Sequence, residues 1–309
     1  MAPSAVDELK AGRAAELVTM AAGSVKSSSG SGSGSGSGDP ALAHVPEEYG
    51  RPPVFTDPLS HRRFLKHRLA LAFRIFARQG FMEGIAGHIT VRDPVDPTSF
   101  WVNPFGLHFA LITDDDLIRV SHAGTVLEGG PNRLLNYAAF AIHSEIHKAR
   151  PDVLCAAHSH SVYGRAMCAT GRPLDMLTQD FCIFYEDHVV YPNFAGLVLA
   201  TDEGRRIAAA LGSRKAALLG NHGLLTAGAS IEATVNWFVL LEKCCQVQLA
   251  AEAAVGGNRA ALTTIGTEEA RHTWEAIGTR DGGYFGGLPL FQLAEREFGE
   301  STFLGRGDV

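Results

Sequence analysis

Residues 153–160 read VLCAAHSH, and residues 215–228 read KAALLGNHGLLTAG. The first is a β-prone run whose end carries two histidines one residue apart. Side chains alternate across a strand, so His158 and His160 project from one face and can bind the same ion. The second is a strand running into a tight Asn-His-Gly turn, where Gly223 lets the backbone bend without a Cβ clash. His222 in that turn is the natural third ligand. Three imidazoles leave one or two positions open, the arrangement of a catalytic zinc rather than a closed structural one. An HxH pair alone is weak evidence, because histidines in a half-buried strand are commonly satisfied without metal. The two segments count jointly.

Around them the chain alternates strand and helix. Residues 57–80, DPLSHRRFLKHRLALAFRIFARQG, place Leu65, Leu69, Ala72, Phe73 and Phe76 on one helical side, and Gly80 ends the helix. HITVR (88–92), SFWVNP (99–104), LIRV (117–120) and TVLEG (125–129) read as strands. A second helix is predicted from about Asn132 to Ala149, opened by Pro131 and closed before Pro151. A short helix over 162–170 ends at Gly171, and HVVYP returns to strand character. Residues 231–255 form a long helix with Ser230 as N-cap and Glu232 in its first turn. From Gly256 onward the tail reads as Gly-rich and irregular, with one helical piece around 268–277. This alternation implies an α/β sandwich.

The bulk properties narrow the function classes. The 309 residues carry a formal net charge of −6 with no block of like charge, which argues against nucleic acid or an anionic membrane surface as partner. No apolar run approaches the ~18 residues of a membrane span. Residues 24–38, SVKSSSGSGSGSGSG, read as a flexible linker, so residues 1–52 are expected to be a disordered arm, in which the spacing of Val6, Leu9, Leu17 and Met20 allows a short helix over 5–20, and residues 53–309 the folded domain. Cys155, Cys168, Cys182, Cys244 and Cys245 show no CxxC spacing and sit mostly among apolar neighbours. Reduced, buried thiols and a cytoplasmic setting are the expectation.

GIAGHITVR (84–92), NPFGLHF (103–109), NYAAFAIHSEIHKARPDV (136–153), AAHSH (156–160), TQD (178–180) and LLGNHGLLTAG (218–228) occur in an order that resembles the class II aldolase/adducin head-domain family. The resemblance covers about residues 60–255. It implies a three-layer α/β/α sandwich with a mostly antiparallel central sheet, a divalent metal on His158, His160 and His222, and a homotetramer with active sites at subunit interfaces. It also implies that the turns at His88 and at Gly106 and His108 line the metal pocket, which makes these residues candidate substrate contacts. Gln179 and Asp180 are candidates of the same kind.

The resemblance breaks at one informative place. Sugar-phosphate aldolases of the family carry an acid/base Glu about nineteen residues before the first His of HxH, and Ala139 occupies that position here. Tyr137 and Ala138 stand where those enzymes bind phosphate, and residues 177–179 offer no Tyr for a proton donor. The helix is closer to the adducin-like branch. His143 and His147, at i and i+4, are the nearby titratable groups, and His143 is the candidate acid/base because imidazole titrates near neutral pH. A structural hydrogen bond is the competing reading for His143 and for His88. The expected activity is a metal-dependent lyase of the aldolase, decarboxylase or epimerase type on a small, non-phosphorylated hydroxy-carbonyl compound, with zinc as the metal. Two alternatives use the same residues: Fe(II) on the three histidines activating oxygen, or a non-catalytic adducin-like head that binds an actin-type partner.

Overall fold

The computed structural model describes residues 42, 44, 45, 50–194, 196 and 201–298. The chain divides into two units, 1–37 and 38–309, and every described residue belongs to the second. The short helix allowed over 5–20 and the Gly/Ser linker lie outside the described residues.

An eight-stranded sheet forms the centre, in the order β4-β3-β2-β1-β5-β8-β7-β6. Its strands are β1 (His88–Arg92), β2 (Ser99–Val102), β3 (Ile118–Ser121), β4 (Val126–Gly129), β5 (Cys155–Ser159), β6 (His188–Tyr191), β7 (Ala216–Leu219) and β8 (Gly223–Gly228). Every neighbouring pair is antiparallel except β6 and β7, which run parallel. The sheet is therefore mixed, with the antiparallel majority that was expected.

Both faces are covered, which explains why the central strands are apolar at successive positions rather than alternately. Cys155 and Ala157 of β5, with Ala216 and Leu218 of β7, enter one core together with Leu69, Phe73, Phe76 and Phe238. Ala156, Ala217 and Leu219 point the other way, into a second core with Ile142, Ile146, Ile207 and Leu211. The first face carries α1 (Pro58–Arg78), capped by Asp57 through the amides of Leu59 and Ser60, and α5 (Ile231–Ala254), capped by Ser230. The second carries α2 (Tyr137–Ala149) and α4 (Thr201–Leu211). The outcome is the expected three-layer α/β/α sandwich.

Three expectations are corrected. Helix α2 opens at Asn136, whose side chain accepts from the amides of Ala138 and Ala139, and not at Pro131. Residues 131–135 instead lie along the Phe105 loop, with Phe105 N donating to Leu134 O at 2.8 Å and Asn132 Nδ2 to Phe105 O at 3.1 Å. Helix α4 was not anticipated, although Asp202 and Glu203 in its first turn favour a helix start electrostatically.

The tail is the largest correction. After α6 (Thr267–Ile277), the segment RDGGYFGGLPLFQLAERE forms α7 (Arg280–Glu297), a helix with Pro289 inside it. Its glycines serve close packing. A Cβ at Gly283 would stand 2.5 Å from the Trp237 ring, and one at Gly287 would stand 2.5 Å from Glu232 O. Arg68, 1% exposed, ties the arrangement together by bridging Glu232 of α5 and Glu295 of α7.

Candidate metal centre

Antiparallel register builds the site. His88 of β1 stands directly opposite His158 of β5, and Thr90 opposite Ala156, so these residues share the sheet face that α2 covers. His160 follows the end of β5, and His222 sits in the turn between β7 and β8. The left-handed residue of that turn is Asn221, at φ 53°. Gly223 is needed for space: a Cβ there would lie 2.6 Å from Ser159 O, 3.2 Å from His158 Cε1 and 3.3 Å from His160 Cδ2.

The three anticipated ligands come together. One nitrogen from each of His158, His160 and His222 lies within 4.8 Å of the others, close enough for a single ion to be shared. Nδ1 of His158 is 2.8 Å from Leu224 O, so it donates to that carbonyl and leaves Nε2 with its lone pair for a metal. Burial holds His158 well below the ordinary imidazole value and lowers His160. Burial, with the neighbouring His160, brings His222 to about 4. All three are thus neutral at pH 7, the protonation state that ligation requires. The residues fit one divalent ion.

The turn after His160 is fixed from a distance. Glu242 on α5, 7% exposed, accepts from Ser161 Oγ at 2.5 Å, Tyr163 N at 2.8 Å and Gly164 N at 2.7 Å. It thereby caps α3 (Val162–Thr170), whose own N-cap residue Ser161 makes no capping bond to that helix. Sequence reading missed Glu242. It is one of three acids on the buried side of α5, with Glu232 and Glu252, a pattern that says each must have partners but not which.

The ligands open into a cavity of about 620 Å³. Phe105, Leu135, Tyr137 and Phe194 give it apolar walls, and Ala138, Ala139 and Ile142 bring α2 to its edge. Among the described residues that line it there is no carboxylate, and Arg165 is the one cation of fixed charge.

The other expected site residues divide. His88 lines the cavity, 4% exposed, with neither ring nitrogen partnered. His143 is fully buried one layer behind it, edge-to-face with His88 at 4.2 Å between ring centroids, and is not part of the cavity wall. Its Nδ1 is 2.7 Å from Thr90 Oγ1, which is also 2.8 Å from His147 Nε2. A hydroxyl has one proton, so one of these imidazoles donates to Thr90 and the other accepts from it. Burial keeps His88 and His143 well below 6.5 and His147 at about 3, so the group is neutral.

Gly106, at φ 86°, lies in the turn after the wall residue Phe105 but does not itself line the cavity. His108 faces a separate hollow beside Arg74 and Phe298, where its Nδ1 accepts from Ala110 N. Gln179 is exposed at the start of a 3₁₀ turn (Gln179–Phe184), away from the metal cavity, and Asp180 is beside it. Spacing along the chain did not reveal which way these loops turn.

With this geometry in hand, comparison with known proteins assigns the class. The model of the class II aldolase and adducin N-terminal domain matches residues 67–249, and the chain belongs to that family. It is 49% identical over 255 residues, 82% of this chain and 90% of the relative, to a Streptomyces roseochromogenus subsp. oscitans protein. That relative is named 4-hydroxy-3-prenylphenylpyruvate oxygenase/4-hydroxy-3-prenylbenzoate synthase. It is 48% identical over 258 residues to decarboxylase NovR of Streptomyces niveus, covering 82% of this chain and 93% of that one. A solved structure titled L-fuculose 1-phosphate aldolase, from Glaciozyma antarctica PI12, superposes with a TM-score of 0.75 at 46% identity. It covers 81% of this chain and 96% of that one.

Proposed function

We propose that this protein is a metal-dependent lyase of the aldolase, decarboxylase or epimerase type. It acts on a small, non-phosphorylated hydroxy-carbonyl compound, with His158, His160 and His222 holding one divalent ion, taken to be zinc. The observation that carries this is the compact cluster of three neutral imidazoles opening into an apolar-walled cavity. An ion bound there supplies Lewis acidity toward two vicinal substrate oxygens.

The chain's own residues divide the remaining work. His88 faces the cavity with unpartnered nitrogens and hydrogen-bonds a substrate oxygen, in the region where sugar-phosphate aldolases use the Glu that Ala139 replaces. His143 acts through His88, and Thr90 with His147 holds it in orientation. Phe105, Leu135, Tyr137 and Phe194 offer apolar walls that seat an apolar or aromatic body. The names of the two Streptomyces relatives, one for a prenylated phenylpyruvate and one for a decarboxylation, support an aryl-substituted 2-oxo or 2-hydroxy acid as substrate. The five cysteines are all buried and unpaired, which supports a reducing, cytoplasmic setting.

One specific observation favours a second reading, oxygen-dependent cleavage with iron on the same histidines: the relative at 49% identity is named an oxygenase. Plasma mass spectrometry of protein purified without a His tag, beside the His158→Ala/His160→Ala double variant, tests both. Near-stoichiometric zinc, lost in the variant, together with turnover of a 2-oxo or 2-hydroxy acid without oxygen uptake, supports the lyase. Iron with substrate-dependent oxygen uptake supports the second reading. No metal after reconstitution overturns both and returns the non-catalytic adducin-like alternative.

A further inference from the structure

The metal cavity has an unbalanced charge. Its three ligand histidines are neutral, its described lining holds no carboxylate, and Arg165 adds a fixed positive charge. A divalent ion deepens the imbalance, and charge in a partly desolvated cavity is costly until paired. Glu83 and Glu203 lie just outside that lining and offset part of the charge, and a substrate carboxylate can supply the rest inside the cavity.

We propose that Arg165 is the anchor for the substrate carboxylate, and that Glu83 holds its guanidinium ready until the substrate takes Glu83's place. The proposal rests on the organic-acid reading above and makes Arg165 the residue that selects acids over neutral hydroxy-carbonyl compounds.

Three observations support it. Arg165 lies five residues after His160 on α3, whose first turn Glu242 fixes, so the side chain projects from a rigid origin at the cavity wall. Its one partner among the described residues is Glu83, at 3.4 Å between Nη2 and Oε1. The side chains are 47% and 34% exposed, and an ion pair this open contributes little, so exchanging it for another carboxylate costs little. The guanidinium fork can then bind the substrate carboxylate through two parallel N–H···O bonds. The substrate class is a carboxylate carrying vicinal oxygens at one end and an apolar or aryl body that meets Phe105, Leu135 and Tyr137.

The test is calorimetric titration of zinc-loaded protein with phenylpyruvate and with its methyl ester, using wild type, Arg165→Gln, Arg165→Lys and Glu83→Gln, with zinc content measured for each. Arg165→Gln is expected to weaken phenylpyruvate by about 10- to 100-fold, leaving the ester within about twofold and zinc content intact. Arg165→Lys should retain part of the affinity, and Glu83→Gln should bind the acid a few-fold tighter. Unchanged acid binding by Arg165→Gln overturns the proposal, as does equal weakening of acid and ester. If wild type binds acid and ester alike, the arginine is not the anchor although the cavity reading survives. Binding of neither probe by the wild type overturns the organic-acid reading and the anchor with it.

Discussion

The carboxylate of Glu242 accepts a 2.5 Å hydrogen bond from the hydroxyl of Ser161, the residue directly after His160. A buried acid 81 positions away along the chain therefore sets the backbone turn from which a metal ligand projects. Residues that orient ligands in this way are typically worth 10- to 100-fold in metal affinity. Glu242→Gln, which in either orientation sets its NH₂ against a backbone N–H, of Tyr163 or of Gly164, is expected to weaken the binding of added zinc by about that factor in a chelator competition. Zinc affinity equal to wild type would reduce Glu242 to a helix cap.

The buried histidines make stability depend on pH with a definite sign. Burial first, and the charge of Arg92 second, hold His147 at about 3 in the native state, against 6.5 for an ordinary imidazole. Above pH 6.5 the group is neutral in both states and contributes no slope. Between 6.5 and 3 the unfolded chain takes up a proton that the native one refuses, so stability falls as pH falls, by roughly 2 kcal/mol at pH 5 for this one residue. Urea unfolding of the metal-free protein at pH 7.5 and pH 5 should show the loss, and His147→Gln should shrink the difference by about that amount. An identical difference in the variant would show that His147 takes up its proton in the native state as well.

Gly283 and Gly287 let α7 lie against α5, and the space at Gly283 is already filled by the Trp237 ring. Gly283→Ala is expected to cost about 1–3 kcal/mol by overpacking, even though alanine is the better helix former. A stabilised variant in chemical denaturation would mean that the two helices separate without penalty.

Ile85, Tyr137 and Phe194, each more than half exposed, stand at the metal cavity. Exposed apolar side chains gathered at one cavity are the kind that a subunit contact covers, and a homotetramer is the expected assembly. Size-exclusion chromatography with light scattering measures it directly. A monomer at micromolar concentration would leave the rim to the substrate alone.

The three-histidine cluster was legible in the sequence because the HSH and NHG segments could be read together. Strand alternation puts His158 and His160 on one side and the Asn-His-Gly turn marks His222, while the pairing of β5 with β8 brings that turn to the pair. Local patterning also gave α1 from about Asp57 and α5 with its Ser230 cap, whereas the Ala139 departure was visible only against the family's pattern. Tertiary structure decided what depends on register and on contacts across long separations. The β1–β5 register set His88 against His158 and pushed His143 one layer back. The path of the 103–109 loop sent Phe105 into the cavity and His108 out of it. The Trp237 ring and Glu232 carbonyl, on another helix, turned a glycine-rich tail into a packed helix, because a glycine's lack of side chain reads as freedom in isolation and as close approach once a partner is present. Glu242 reaches the site only after α5 docks on α3, so no spacing along the chain could have announced it.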